Sequence, residues 1–486
     1  MANVILWNST PEDKDWQQTI DNQSLLVPRV FRPLGPHQLA TWLRNHGYTV
    51  KVIDFCNYMT VDELLQITEK YIDSTTLAIG VSTTFWPTGT RVLSVNNPKQ
   101  IYDVPQWVES ARQKIENKFR NIKWCLGGAR TFYYQNRTEW QCFSGDAEDS
   151  LLKWVDEISG KKIVRPLFDI KEASSHFVEN DHIQPQEVIP IELGRGCMFK
   201  CKFCSFDKLG KKPGTYLKNY HRVYQEILDH HEKWGTTRFV YVDDTVNESE
   251  EKIQALADIA LSVPFKLEWV GFIRADLIWS KPQTFQLLKE SGLRSASIGI
   301  ESFERKSSQL IGKGWSGKHA KEWLLEKRAE WGNDINWYLS LIVGIPGQTF
   351  KQLNDDCDWL INNDMHSWSF LPLYIMSDHQ QIEGSWMSEF TRNYSQYGFQ
   401  FPDPNRAWYW ENGKWNFDIA LEVSRLLNEK GFEYTKSTSF QMAETATHGF
   451  EFDEIMNLKW KDYPWKRVYE SAKLFIDKYV ELNLKL

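Results

Sequence analysis

The sequence predicts an α/β protein. A doubly wound parallel sheet occupies 1–162 and a partial barrel of six strand–helix units occupies 188–375. A mostly helical, aromatic-rich region follows over 376–486, with 163–187 as a linker. Three observations carry this prediction. Strand-like and helix-like patterns alternate through the first part, which implies parallel strands with helical crossovers. A second alternating series begins at Val188 after a polar, weakly patterned stretch. Beyond Tyr374 the alternation stops, and Trp, Tyr and Phe accumulate between helical patterns.

In the first part, Val4–Leu6 reads as a short strand. A helix follows over Pro36–His46, with Leu39, Trp42 and Leu43 at helical spacing and Gly47 as its stop. Then come a strand over Tyr48–Phe55, a helix over Val61–Tyr71, a strand over Leu77–Val81, a helix over Pro105–Phe119 and a strand over Ile122–Leu126. The segment GDAEDSLLKWVDEISGKK closes the unit as an amphipathic helix. In the second series the strands are Val188–Leu193, Phe239–Asp243, Lys266–Phe272, Ser295–Ile300, Tyr338–Val343 and Trp368–Tyr374, with helices between them. Ligands of such folds lie beyond the carboxyl ends of the strands. Helices over Ile419–Lys430 and Trp465–Leu484 complete the chain.

Composition narrows the function classes. The 486 residues carry 57 Lys+Arg against 64 Asp+Glu, a net charge of −7, and 42% are hydrophobic. This excludes a disordered chain or a small disulfide scaffold, and the acidic balance argues against a dedicated nucleic-acid binder. No apolar stretch approaches the roughly 20 residues of a membrane helix, and the first residues read as a strand with no export signal. A cytoplasmic setting is therefore expected. There, an odd set of 7 cysteines points to metal or catalysis. The 23 Trp are an unusual excess.

Three of those cysteines stand in ELGRGCMFKCKFCSF, just after the first strand of the second series: Cys197, Cys201 and Cys204. Three close thiolates can serve one metal centre and leave a coordination position open, whereas structural zinc sites usually close with four ligands. The other cysteines, Cys56, Cys125, Cys142 and Cys357, are isolated, so no fourth ligand or second cluster is suggested. Cys357 falls on the apolar face of its helix and reads as core, while Cys56 and Cys142 carry no assignment.

The CxxxCxxC spacing, with Phe203 before the last cysteine, resembles the radical S-adenosylmethionine (SAM) enzymes. The resemblance implies a partial (β/α)6 radical SAM barrel. Its three cysteines hold a [4Fe–4S] cluster whose open iron chelates SAM, and reduction cleaves SAM to a 5′-deoxyadenosyl radical. It also implies SAM contacts at strand ends. Asp243 or Asp244 would meet the SAM amino group, with a helix cap as the competing role. Arg274 would hold the SAM carboxylate, with an ion pair to Asp276 or Glu301 as the competing role. Glu301 and Ser302 would meet ribose or methionine. In LIVGIPGQT, which resembles the family's GxPGxT signature, Gly344, Ile345, Pro346 and Gly347 would help hold SAM, with adenine against Val343–Ile345, although a plain strand-to-helix turn is also true in part.

The first part resembles the Rossmann-like cobalamin (B12)-binding domains that precede many such barrels, through RVFRPLGPHQLATWLRNHGYTVKVIDF, Gly80–Thr84, Gly127–Thr131 and GDAEDSLLKW. The family's DxHxxG segment, which supplies a histidine to cobalt, is absent. Both a cobalamin-loaded domain and an empty architectural partner therefore remain open, and cobalamin is a candidate cofactor. His37 reads as a capping or surface histidine. Residues 376–486 resemble nothing recognisable and read as a packed aromatic cap or a substrate wall. Tyr374 and Met376 are expected to point toward the site.

The expected function is reductive SAM cleavage with hydrogen abstraction from a peptide or small-molecule substrate, leading to epimerisation, cyclisation or rearrangement. Its alternative is a cobalamin-dependent radical SAM C-methyltransferase, and a non-catalytic zinc module is a remote third reading. A flavodoxin- or ferredoxin-like partner would supply electrons. No residue is assigned a catalytic role beyond these ligands.

Overall fold

The computed structural model describes residues 1–10, 30–86, 104–135, 139–204, 206, 210–212, 214–313, 317–376, 387–403, 406 and 408–485. The first sheet contains β1 (Val4–Trp7), β2 (Val50–Ile53), β3 (Ala78–Ser82), β4 (Lys123–Gly127) and β5 (Gln141–Phe143), in the order β2-β1-β3-β4-β5. All of its pairings are parallel. β1, β2 and β3 are buried along their whole length, as expected of a sheet covered on both faces. The helix Val61–Tyr71 starts on a capping box in which Thr60 and Glu63 satisfy each other's backbone N–H.

The second sheet runs in sequence order: β6 (Ile189–Ile191), β7 (Arg238–Tyr241), β8 (Glu268–Ile273), β9 (Leu293–Glu301), β10 (Asn336–Val343) and β11 (Ser367–Pro372). Every neighbouring pair is parallel. β6 and β11 are opposite edges of this sheet, so the barrel is partial. One set of side chains, including Phe239, Tyr241, Trp269 and Ile298, packs outward with the helices. The alternate set, Val240 and Val270, packs inward against Met442, Ala443 and Ala446 of the helix Ser439–Thr447. This helix belongs to the C-terminal region and lies across the concave face. It is fastened by hydrogen bonds from Ser295 Oγ to Ser439 Oγ and from Asn336 Nδ2 to the Ser437 carbonyl.

Three expectations need correction. Residues 163–187 are more than a polar connector: Phe177, Ile183 and Asp181 are buried, and two 3-10 turns fall at Ile170–Glu172 and Glu179–Asp181. The C-terminal region does more than cap the barrel. Its last helix, Trp465–Lys485, returns to the first sheet, where Phe475 and Tyr479 pack edge-on against Phe55 and the Tyr479 hydroxyl accepts from Asp54 N–H. His37 is neither a cap nor a surface group. It is fully buried, with Nε2 at 3.0 Å from Asp54 Oδ1 and its ring against Phe177. Its helix turns it inward because Asp54, buried at the end of β2, needs donors.

That carboxylate centres a junction of the first domain, the linker and the last helix. Arg32 donates to Asp54 at 2.6 Å and forks Glu187 at 2.6 and 3.0 Å, all three groups being buried. Burial would raise the Asp54 carboxyl, but His37 and Arg32 pull it well below the ordinary range. Part of the tryptophan excess goes to the cores: Trp7, Trp86, Trp269, Trp331, Trp337 and Trp410 are fully buried.

Candidate functional site

β6 ends at Ile191, and the cysteine loop follows under backbone control. Arg195 N–H donates to the Tyr216 carbonyl, Lys211 N–H to the Cys197 carbonyl, Gly210 N–H to the Phe199 carbonyl and Lys202 N–H to the Ile311 carbonyl. Gly194 lets the loop start close to its neighbours, since a Cβ there would lie 2.8 Å from Leu217 Cδ2. The loop brings Cys197, Cys201 and Cys204 to one end of a cavity of about 670 Å3 inside the partial barrel. Burial pushes the Cys197 thiol up and the Cys204 thiol to about 12, so a metal taking these ligands would displace protons. Among the described residues, no group of three His, Cys, Asp or Glu side chains closes on a single ion.

The residues named from the sequence divide between the cavity and its surroundings. Phe203, Asp244, Arg274 and Glu301 line it. Asp243 does not: it is buried, accepts from the Leu193 N–H at 2.8 Å and pairs with Lys252 at 3.0 Å. Burial raises this carboxyl and Lys252 partly offsets that. Neither aspartate caps a helix, because Ser249 caps the helix Glu250–Ser262.

Arg274 takes the competing role foreseen for it. It forks Asp276 at 3.0 and 2.6 Å, donates to Cys201 Sγ at 3.2 Å and stacks over Phe199 at 3.9 Å. Burial opposes its charge, but Asp276 and the Cys201 sulfur hold the guanidinium more firmly protonated than usual. Glu301 sits in a left-handed backbone conformation (φ 64°) at the end of β9, 3.5 Å from Lys313. Burial raises its carboxyl, and Lys313 works against that. Lys313 also donates to the Gly299 carbonyl at 2.7 Å.

The Gly344–Gly347 turn and Ser302 lie outside the cavity lining. Gln348 Oε1 accepts from the N–H groups of Gly344 and Ile345, and Gln348 Nε2 donates to the Ile342 carbonyl. Gly344 (φ 100°) faces Trp410, whose ring a Cβ would meet at 2.6 Å. Val343 and Ile345 are fully buried. From this strand end, Ile342 is the residue that lines the cavity. Tyr374 lines the cavity, whereas Met376 is buried away from it. Cys357 is core, as its helical position implies.

Sequence reasoning missed Lys313, Phe272, Tyr338, Ser340, Thr438, Phe440, Gln441 and Glu444, all in the lining. Period-two alternation along β9 and β10 could have found Tyr338 and Ser340. Nothing local marks Phe440 or Glu444, which reach the cavity from a helix distant in sequence.

A second cavity, of about 190 Å3, lies at the carboxyl edge of the first sheet, between the ends of β1 and β3 where the strand order reverses. Its wall combines glycines (Gly35, Gly80, Gly127, Gly128 and Gly145) and Ser82 with larger side chains such as Leu6, Trp7, Leu39 and Phe143. A Cβ on Gly80 would fall 2.9 Å from Leu6 Cδ2 and 3.0 Å from Cys125 Sγ. Arg195, two residues before Cys197, also lines this cavity. It pairs with Glu148 and Glu192 at 2.7 and 2.8 Å, tying the cysteine loop to the first domain.

Residues 191–360 match the family model described as the radical SAM superfamily. The chain is similar to the protein named uncharacterized methyltransferase PH0819 of Pyrococcus horikoshii, at 21% identity over 66% of this chain and 71% of that protein. Among solved structures, it shares its fold with the radical SAM methyltransferase TsrM of Kitasatospora setae, solved with cobalamin and a [4Fe–4S] cluster bound. The TM-score is 0.62 and the identity 14%, over 98% of this chain and 100% of that one. The cobalamin-dependent SAM radical enzyme OxsB, solved with aqua-cobalamin and SAM, matches at TM-score 0.56 and 15% identity, over 100% of this chain and 72% of that one.

Proposed function

The chain is a radical SAM superfamily enzyme with a cobalamin-binding-like N-terminal domain, and from this premise we propose that it is a cobalamin-dependent methyltransferase. The observation that carries the proposal is the cavity at the carboxyl edge of the first sheet, lined in part by glycines and joined to the cysteine loop through Arg195. An empty architectural domain needs no such cradle. The namesakes of the fold support the same reading: one similar chain is named a methyltransferase and one similar structure is titled as such. Hydrogen abstraction leading to epimerisation, cyclisation or rearrangement has no comparable support, and the family match sets the zinc module aside.

Gly80, Ser82, Gly127, Gly128 and Gly145 would hold the nucleotide end of cobalamin, which when bound supplies a carrier for the methyl group. Cys197, Cys201 and Cys204 would hold the [4Fe–4S] cluster, which when bound supplies the electron and the SAM-chelating iron. Asp244 and Glu301 face the cavity beside these cysteines and suit the ammonium and hydroxyl groups of SAM. Arg274, already forked on Asp276, orients the Cys201 sulfur and leaves SAM's carboxylate to other donors. Exposed Lys200, Lys211 and Lys212 beside the loop suit an acidic flavodoxin- or ferredoxin-like donor.

A Gly127→Leu substitution tests the carrier role. Gly127 lines the cradle with nothing within 4 Å of its Cβ position, so a side chain can start there without a backbone clash. The variant should lose the visible cobalamin spectrum by about tenfold or more at equal iron content, as expected when steric overlap removes cofactor contacts. Unchanged cobalamin retention would defeat the proposal.

A further inference from the structure

The wall of the barrel cavity divides by strand. Its ionised groups lie at the ends of β7, β8 and β9 and already have partners or a role there. Arg274 forks Asp276, and Lys313 pairs with Glu301 and donates to the Gly299 carbonyl. Asp244 stands close enough to Cys197 and Cys204 to push both thiols up, which is where the SAM ammonium is placed above. Glu444 reaches the wall from the helix Ser439–Thr447 and already has an interaction within the protein. A charged substrate head would therefore find a counter-ion only by breaking an existing contact.

The β10–β11 side is different. Its lining residues include no Asp, Glu, Lys, Arg or His. Ile342 and Leu371 stand opposite each other in the strand register, and Tyr374 follows just past the end of β11. Leu371 is 44% exposed and Tyr374 is 39% exposed, and both line the cavity. The Tyr374 ring is braced edge-on by Trp408 and tilted against Phe417, each at 5.6 Å between centroids. Apolar surface left open in this way gains about 25 cal/mol per Å2 when an apolar ligand covers it. Four residues back along β10, Tyr338 lies in one row with Ser297 and Phe272. This row is also uncharged: the Tyr338 hydroxyl bonds Ser369 Oγ, Phe272 packs on Phe440, and Ser297 Oγ has no partner among the described residues. A neutral polar atom or a water suffices to complete that hydroxyl.

We infer that the substrate is uncharged where it meets the β10–β11 side, laying an apolar face against Ile342, Leu371 and Tyr374 and carrying only neutral polar atoms there. This rests on the barrel cavity being the substrate chamber of the proposed methyltransferase. An ammonium or a carboxylate brought to this side would lose its water without gaining an opposite charge, and that loss is far larger for an ion than for a hydroxyl. The two sides thus divide the cavity: the ionic side suits SAM, and the apolar side is left for the substrate.

The test is equilibrium dialysis of the anaerobically reconstituted, SAM-loaded protein at neutral pH against three probes that share one bicyclic body: 2-naphthylmethanol, 2-naphthylmethylamine and 2-naphthoate. The alcohol should bind about tenfold or more tighter than either ion, the difference expected when an ion is desolvated without a partner. Leu371→Glu, at a position open enough to accept it, should weaken the alcohol about tenfold by putting a charge where the apolar face lies. The comparison among probes on the unmodified protein stands even where the variant folds poorly. Either ion binding as tightly as the alcohol, absent alcohol binding, or a folded Leu371→Glu protein with unchanged alcohol affinity overturns the inference. The visible spectrum of the same preparation reports cobalamin separately. Loss of the carrier reading with the neutral preference intact therefore differs from loss of the preference itself.

Discussion

At the scale of single residues, strand parity decides which groups can meet a ligand. Phe239, Tyr241 and Asp243 alternate onto the outer face of β7, so Asp243 ends up under the helices with Lys252, and the next residue, Asp244, reaches the cavity. The sequence named both aspartates. The choice between them was legible from the period of two, which the motif alone did not apply. The same holds for Arg274, whose partner Asp276 lies two residues away and competes with any anionic ligand. The Arg274–Cys201 contact was not legible, because it joins residues 73 apart. Hydrogen bonds to a cluster sulfur raise its potential. Arg274→Gln should therefore retain iron and shift the reduction potential to more negative values in a potentiometric titration, slowing SAM cleavage. An unchanged potential would remove Arg274 from that role. Cys201→Ala should lose cluster iron and all SAM cleavage together, read by iron assay and product chromatography.

At the scale of elements, the barrel strands and their helices were readable because each follows a local period, and the capping boxes at Thr60 and Thr349 start helices where the sequence places them. What the local pattern cannot carry is where distant pieces land. The Gly344–Gly347 turn matches a signature, yet Trp410 covers it, and Trp410 donates to the Leu373 carbonyl at 2.8 Å. Gly344→Ala would force both a positive φ and a ring clash, and should cost about 2 kcal/mol or more in denaturant unfolding. The Arg32 junction makes a similar point. Arg32 links the first sheet to Glu187 across 155 residues. Removing one member of a buried ionic set leaves its partners exposed to the cost of burial, about 3–5 kcal/mol. Arg32→Ala should show that loss as a lowered unfolding midpoint. A change below about 1 kcal/mol would mean that water replaces the guanidinium.

At the scale of the whole molecule, two cavities lie at the carboxyl ends of two parallel sheets, and the segment that leaves β6 serves both: Arg195 lines the first and Cys197 the second. The C-terminal region closes both units, with the helix Ser439–Thr447 on the barrel and Trp465–Lys485 on the first sheet. This assembly buries His230, His366 and His448, each held down to about 3 mainly by burial. The unfolded chain takes up protons near pH 6.5 and these sites do not, so stability is present above pH 6.5 and is lost as pH falls toward 3. Thermal melts should show the midpoint falling steadily from pH 7 to pH 4. A flat profile would mean that these rings are open to solvent. Cooperation of the two cavities in methyl transfer is read from the fate of SAM in the fully reconstituted, reduced protein. With cobalamin retained, mass spectrometry should find S-adenosylhomocysteine accumulating with a methylated product. A protein that excludes cobalamin and yields 5′-deoxyadenosine with no S-adenosylhomocysteine would contradict it.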